Sequence, residues 1–349
     1  GTGAMNDYSS TTAPWKDYNN QIVKVTVGEG ITALWSTNRS QPFNGLTQDF
    51  TISLPSTLTK IDRDFNGCAN LTAVTFAKEG VLQMVDGWAF GNCKKLVSVT
   101  FPDGAKTKFY DGNFYNCTAL TSVTLGNKTA ELNGRVFNNC TALTEIVVPA
   151  SVTRVGSSIS GQGSAFNGCS NLAKVTFLGA DTAILPADAN GIPSSATIYG
   201  FKDSTAEAYA NTYERTFVRI TTVASGTCGE NLTWTLSDEG ELTISGTGAM
   251  TSAWNVADYN GSVTKIIVDE GVTALCKQAF NSLTQEFTIA LPSTLEKIDV
   301  DFNGCTKLTS VTFAEEGSLK NIYAWSFSGC SALKEVKLPN NAETKVHNA

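Results

Sequence analysis

The sequence predicts a β-rich solenoid, and three observations carry that prediction. The skeleton F-x-x-C-x-x-L-x-x-[VI]-x-[FLV] recurs seven times in 349 residues, with its cysteine at 68, 93, 117, 140, 169, 305 and 330. Neighbouring cysteines are 25, 24, 23 and 29 residues apart in the first run and 25 apart in the last pair. Each copy ends in alternating apolar residues, the pattern of a short strand with one buried side. Periods in the twenties with fixed apolar positions mean stacked coils, because one such unit cannot bury both of its faces alone.

Within a coil, the leucine, the β-branched residue three on and the apolar residue two further on read as L-x-x-L-x-L. A second apolar cluster precedes each phenylalanine, as in LTKI (58–61), VLQMV (81–85) and SVTRV (151–155). It predicts a short strand on the opposite side of the coil. About five such side chains per coil are buried, at roughly 1.5–3 kcal/mol each. Looser coils begin at Phe43 and Phe280, where Leu46 and Leu283 replace the cysteine. The 29-residue spacing contains SSISGQGS (157–164), which is expected to loop out.

A longer repetition divides the chain. GTGAM (1–5) recurs at 246–250, and FNGLTQDFTISLPSTLTKIDRDFNGC (43–68) returns as FNSLTQEFTIALPSTLEKIDVDFNGC (280–305). We therefore expect two tandem arrays of 23–29-residue coils, residues 1–222 and 223–349, joined near 221–226. TIYGFKDSTAEAYANTYERTFVRI (197–220) reads as a lid on the first array. Ser204 is placed to cap a short helix, with Glu207 three residues on. LTWTLSDEGELTIS (232–245) reads as a hairpin cap opening the second array. The first array has no counterpart of that hairpin and the second halts at NAETKV (341–346), so a piece of a longer chain is expected.

Composition narrows the function. The net charge is −7 and no basic run occurs, which argues against nucleic acid and anionic membrane surfaces. No apolar run approaches the roughly 20 residues of a membrane span. The single histidine, His347, sits at the end of the chain, so a histidine-dependent nucleophilic centre has no rigid base. The carboxylates are scattered and read as solvated surface. No catalytic residue, cofactor or metal ligand set is expected.

Two features resemble ion or redox sites. Zinc sites use close cysteine pairs, whereas the coil cysteines are at least 23 residues apart. Disulfides between adjacent coils are the rival reading, since strand spacing brings equivalent positions within reach. A buried file of free thiols fits better, because cysteine is small and apolar and the total of nine is odd. Asp62, Asp64, Asn66 and Gly67, and likewise Asp299, Asp301, Asn303 and Gly304, match the first half of an EF-hand loop. The twelfth positions are Ala73 and Ser310 rather than glutamate, so turn capping is the expected role. GTG at 1–3 and 246–248 is expected to mark a turn.

The remaining candidate is the strand face. Thr75, Thr100, Thr124, Val147 and Thr176, with Thr312 and Lys337 in the second array, fall between the two final apolar residues and should point outward. They would form a flat, weakly charged platform for a protein or a glycan. Threonine also simply suits an exposed strand. Trp88 and Trp325 hold equivalent places two residues before the coil phenylalanine. With Trp15 and Trp35, they could anchor a partner, stack on sugar or shield the core.

GTCGENLTWTLSDEGELTISGTGAM, the A-F-x-x-C-x-x-L coils and STAEAYA together resemble the BspA-type leucine-rich-repeat family. CKQAF at 276–280 and the 157–164 insertion depart from its usual pattern. The resemblance implies an exported bacterial surface protein whose leader lies outside this segment. Some members are implicated in adhesion and in binding extracellular-matrix proteins. The expected function is thus a non-enzymatic, monomeric binding module for an extracellular protein. A structural stalk and a glycan-binding module are the alternatives.

Overall fold

The computed structural model describes residues 1–6, 8–34, 41–159, 163–185, 191–252, 259–340 and 345–346. Trp35, His347, the middle of the 157–164 insertion and most of NAETKV lie outside them. The chain divides into two compact units, Gly1–Arg219 and Ile220–Ala349. Both are solenoids of stacked coils whose successive strands run parallel.

In the first unit each coil contributes a longer strand to a front layer and a strand of two or three residues to a back layer. The back layer is one eight-stranded sheet running from Gly3–Ala4 through Lys60–Ile61, Met84–Val85 and Lys108–Phe109 to Ala183–Ile184. Equivalent residues pair across coils: Val74, Val99 and Val123 lie side by side, as do Thr75, Thr100 and Thr124. A one-residue slip would turn every valine to solvent, so the repeated offsets fix the register. GTGAM departs from expectation. Gly3–Ala4 and Gly248–Ala249 are strands paired with Ile31–Ala33 and Val272–Ala274. Glycine makes this possible, because Gly3 and Gly248 hold φ of 93° and 104°.

The repeated motif now has a physical explanation. The phenylalanines stack in file: rings 43–65, 65–90, 90–114, 114–137 and 137–166 have centroids 5.6, 5.1, 5.3, 5.5 and 5.8 Å apart. Five of the coil cysteines bond to the coil before them. Cys93, Cys117 and Cys140 donate from Sγ to the carbonyl oxygens of Phe65, Phe90 and Phe114, all at 3.1 Å. Cys169 does the same to Phe137 at 3.0 Å and Cys330 to Phe302 at 3.1 Å. A small, apolar donor is needed in a dry slot that contains one carbonyl, and a thiol meets both conditions.

Two residues after the phenylalanine the backbone turns left-handed, which explains Asn92, Asn116 and Asn139, with glycine at 67 and 168. Those asparagines bond to one another, Asn116 Nδ2 to Asn92 Oδ1 at 3.1 Å and Asn139 Nδ2 to Asn116 Oδ1 at 2.9 Å.

The helix Thr205–Thr212 closes the far end of the first unit, burying Ala206, Tyr209 and Ala210. Ser204 Oγ accepts from the Glu207 amide at 3.2 Å, and the Glu207 carboxylate accepts from the Asp203 amide at 2.6 Å. In the second unit, antiparallel strands Thr222–Gly229, Leu232–Ser237 and Glu241–Gly246 lead into a parallel run ending at Glu335–Lys337. Their inward residues Leu232, Trp234, Leu236, Leu242 and Ile244 cover the first coil's core.

Candidate interaction face

The front layer of the first unit is where the predicted platform residues fall. Thr75, Thr100 and Thr124 are exposed and adjacent in one five-stranded parallel sheet. Val147 and Thr176 are adjacent in a separate four-stranded sheet. The platform is therefore divided. Among the described residues, no backbone hydrogen bond joins Ser122–Thr124 to Glu145–Val148. The back layer continues unbroken behind the gap, with Glu131–Leu132 paired on both sides.

The divide opens a cleft of about 360 Å³, lined by Val123, Thr124, Leu125, Glu145, Ile146 and Val147 among others. Gly126 lies beside it, and a Cβ there would lie 2.1 Å from the Pro102 carbonyl oxygen, so only glycine fits at this position.

Thr176 corrects the expectation of an exposed side chain. It is 9 % exposed, whereas Val147 is 45 % exposed. Its register neighbours are Val147 on one side and Tyr199 on the other, and the tyrosine comes from a coil that lacks the phenylalanine–cysteine motif. Thr124 and Val147 were among the predicted residues, whereas Val123, Leu125, Glu145 and Ile146 were not, because nothing in their own types marks them. The available signals were the shortest spacing, 23 residues, and a glycine where neighbouring coils have Pro102 and Pro149.

Trp88 and Trp325 lie outside the front strands, in the turn after the back strand. Trp88 and Trp325 both have left-handed backbone, φ 65° and 67°. Trp88 is half-buried between Tyr115, at 4.7 Å between centroids, and the Arg135 guanidinium, 5.6 Å from the ring. Gly112 leaves room for it, since a Cβ there would sit 3.2 Å from the indole. Trp325 is 61 % exposed beside Tyr323 and Val346. Trp15 caps the phenylalanine file, stacked 5.6 Å from Phe43.

Burial governs the chemistry of the thiols. All nine cysteines are free. Loss of hydration pushes the Cys93 and Cys140 thiols well above their ordinary range and those of Cys169 and Cys305 up to about 12. A thiol held protonated is a poor nucleophile. A maleimide added to the native protein should therefore label the half-buried Cys276 and Cys330, and label Cys93, Cys117 and Cys140 only on unfolding. Mass mapping that found Cys117 labelled as fast as Cys276 would contradict the file of hydrogen-bonded thiols.

With this geometry in hand, comparison with known proteins is informative. The sequence profile of the BspA type leucine-rich repeat region matches six copies, over residues 40–173 and 255–349. The chain belongs to that family. Its phenylalanine–cysteine coils are thus BspA-type coils, in a family of bacterial repeat proteins whose fold serves as a protein-binding scaffold. No curated protein matches this chain in sequence.

Among solved structures, a leucine-rich cell surface protein from Faecalibacterium prausnitzii is similar at 20 % identity, over 91 % of this chain and 88 % of that one, with a TM-score of 0.32. A leucine-rich repeat protein from Bacteroides ovatus is similar at 14 % identity, over 99 % and 78 %, with a TM-score of 0.37. The T. pallidum leucine-rich repeat protein is similar at 21 % identity, over 48 % of this chain and 85 % of that one, with a TM-score of 0.34. Among the described residues, no helix is long and apolar enough to cross a membrane.

Proposed function

We propose that this BspA-type chain is a non-enzymatic binding module, displayed outside the cell, that holds an extracellular protein against the front strands of its first unit. Residues 1–222 and 223–349 would act as tandem arrays, each a display surface of stacked coils. One observation carries the reading: Thr75, Thr100 and Thr124 stand in register on adjacent parallel strands. The Phe and Cys files beneath hold that surface stiff, so little ordering entropy is lost on binding. The surface character of the Faecalibacterium protein supports display outside the cell.

The test is binding of the purified chain to a panel of immobilised extracellular proteins, matrix proteins included. Thr100→Arg with Thr124→Arg should weaken the bound partner at least tenfold while leaving the melting temperature within about 2 °C, because exposed substitutions away from special features rarely cost much. An unchanged affinity would favour a stalk or another face. A glycan array positive for the parent and negative for Trp88→Ala would favour sugar.

A further inference from the structure

The two units open alike but are not covered alike. GTGAM forms the back strand of an opening coil in both. Gly3 pairs with Ile31 and Ala4 with Ala33, as Gly248 pairs with Val272 and Ala249 with Ala274. The front strand that follows is Lys24–Thr26 in the first unit and Lys265–Val268 in the second. Glu241–Gly246 covers the latter in parallel register, with Glu241 beside Lys265, Leu242 beside Ile266 and Ile244 beside Val268. Lys24–Thr26 is instead the last strand of its sheet, and among the described residues no strand pairs with its outer side.

That outer edge is set to bond. The Thr51 amide donates to Val23 and the Val27 amide to Ser53, so the odd residues face the following coil. Alternate residues of a parallel ladder direct their N–H and C=O to opposite sides, which leaves Lys24, Thr26 and Gly28 facing outward. Their counterparts in the second unit are in use: the Lys265 amide donates to Gly240 at 3.2 Å and the Asp269 amide to Ile244 at 2.9 Å.

Side chains show the same contrast. Ile266 and Val268 are 0 % and 4 % exposed, whereas Val25 and Val27 are half-buried. With Met5, Trp15, Ile22 and Phe43 they line a hollow of about 520 Å³. It lies beyond the end of the sheet, so a further backbone there displaces no described strand. Lys265 meets Glu241 at 2.8 Å, while Lys24 is exposed and has no ion pair among the described residues.

We propose that this face is the docking site of a β-hairpin of the kind that LTWTLSDEGELTIS (232–245) forms in the second unit, joined through its last strand to Gly1. That strand reads acidic–apolar–polar–apolar. Its acid meets Lys24, its two apolar residues cover Val25 and Val27, and its backbone bonds to Lys24, Thr26 and Gly28. An unpaired edge is a template for such a strand. The back layer selects this occupant over the hairpin of a second copy. Glu241–Gly246 runs on into Gly248–Ala249, so a second copy would bring its own back strand to the place that Gly3–Ala4 fills. A hairpin that ends at Gly1 uses Gly3–Ala4 itself.

The probe is the full chain with a further copy of the 222–245 sequence fused ahead of Gly1. A fusion of the same residues in scrambled order is the control. Amide exchange at Lys24, Thr26 and Gly28 should be fast beside that at Val25 in the parent, and at least tenfold slower in the fusion. The urea midpoint of the first unit should rise and that of the second stay in place. Lys24→Glu should reverse part of the rise in the fusion and leave the parent's midpoint unchanged.

Slow exchange at Lys24 and Gly28 in the parent would overturn the proposal, because the edge would already be covered. Slowing that grows with protein concentration would also overturn it, in favour of a second copy. So would unchanged exchange in the fusion, equal protection by the scrambled sequence, or a fusion whose rise is indifferent to Lys24→Glu.

Discussion

Phe114→Ala should lower the stability of the first unit by about 4 kcal/mol, the range for removing a buried phenylalanine. The ring is fully buried. It stacks on Phe90 at 5.3 Å and Phe137 at 5.5 Å, and meets Phe101 edge-on at 6.1 Å. Truncation leaves a cavity that cannot collapse, because backbone bonds hold the coils on both sides: the Phe114 amide to Val136 at 2.7 Å and the Phe90 amide to Asn113 at 2.9 Å. Stability in a solenoid is a sum of coil and nearest-neighbour terms, so the damage falls on the two interfaces that share the ring. Urea unfolding should lose its single sharp transition as well as its midpoint, and the second unit's transition should stay in place. A loss below about 1 kcal/mol would mean that the phenylalanine file does not hold the coils together.

The same side chains show how much the sequence disclosed. Phe and Cys returned at fixed offsets, which was enough to place the core, the coil period and the two strands of each coil. The reason for cysteine needed coordinates, because the Phe65 carbonyl that Cys93 serves lies in the previous coil, 28 residues away. The division of the front face was hidden for a related reason. It separates Ser122–Thr124 from Glu145–Val148, whose own residue types signal only strand. Thr176 was misread because its cover, Tyr199, belongs to a coil without the motif. Two-residue strands such as Gly3–Ala4 are too short for alternation to reveal. Pattern reports what each coil shares; the candidate site is built where one coil differs.

Asp301 and Asp64 are a second such difference, and they give the chain a pH-dependent stability. Both occupy the place just before the coil phenylalanine, where other coils have Ala89, Ala165 and Ala279. Two further coils show what that slot accepts. Asn113 Nδ2 donates to the carbonyl oxygens of Val85, at 3.1 Å, and Asp86; Ser326 Oγ donates to that of Ile298 at 3.2 Å. The slot faces carbonyls of the preceding coil, so it rewards a donor. An ionised aspartate has none to give and a protonated one does.

Asp64 is 1 % exposed and Asp301 2 % exposed. One oxygen of each accepts a backbone amide, from Asp62 and Asp299 respectively, both at 2.9 Å. The other oxygen of Asp64 has no partner among the described residues. Around Asp64 stand Asp62, Asp86 and Lys60, and around Asp301 stand Asp299, Lys297 and Lys277. Lost hydration outweighs the lysines and the amide bond. It carries the Asp64 carboxyl well above the usual range and the Asp301 carboxyl to about 7.

The sign follows from proton counts. Below pH 4 both states hold the proton and the site costs nothing. Between pH 4 and pH 7 the unfolded aspartate ionises and the folded one does not, so the folded chain binds more protons and stability falls as pH rises. The loss at Asp301 is roughly 4 kcal/mol by pH 8. Asp301→Asn keeps the acceptor and supplies the donor that Asn113 supplies in its coil. The variant should match the parent near pH 4 and exceed it by roughly 3–4 kcal/mol at pH 8, read from urea midpoints of the second unit. Equal midpoints at pH 8 would mean that water or a lysine already stabilises the ionised carboxylate, and that the slot is not dry.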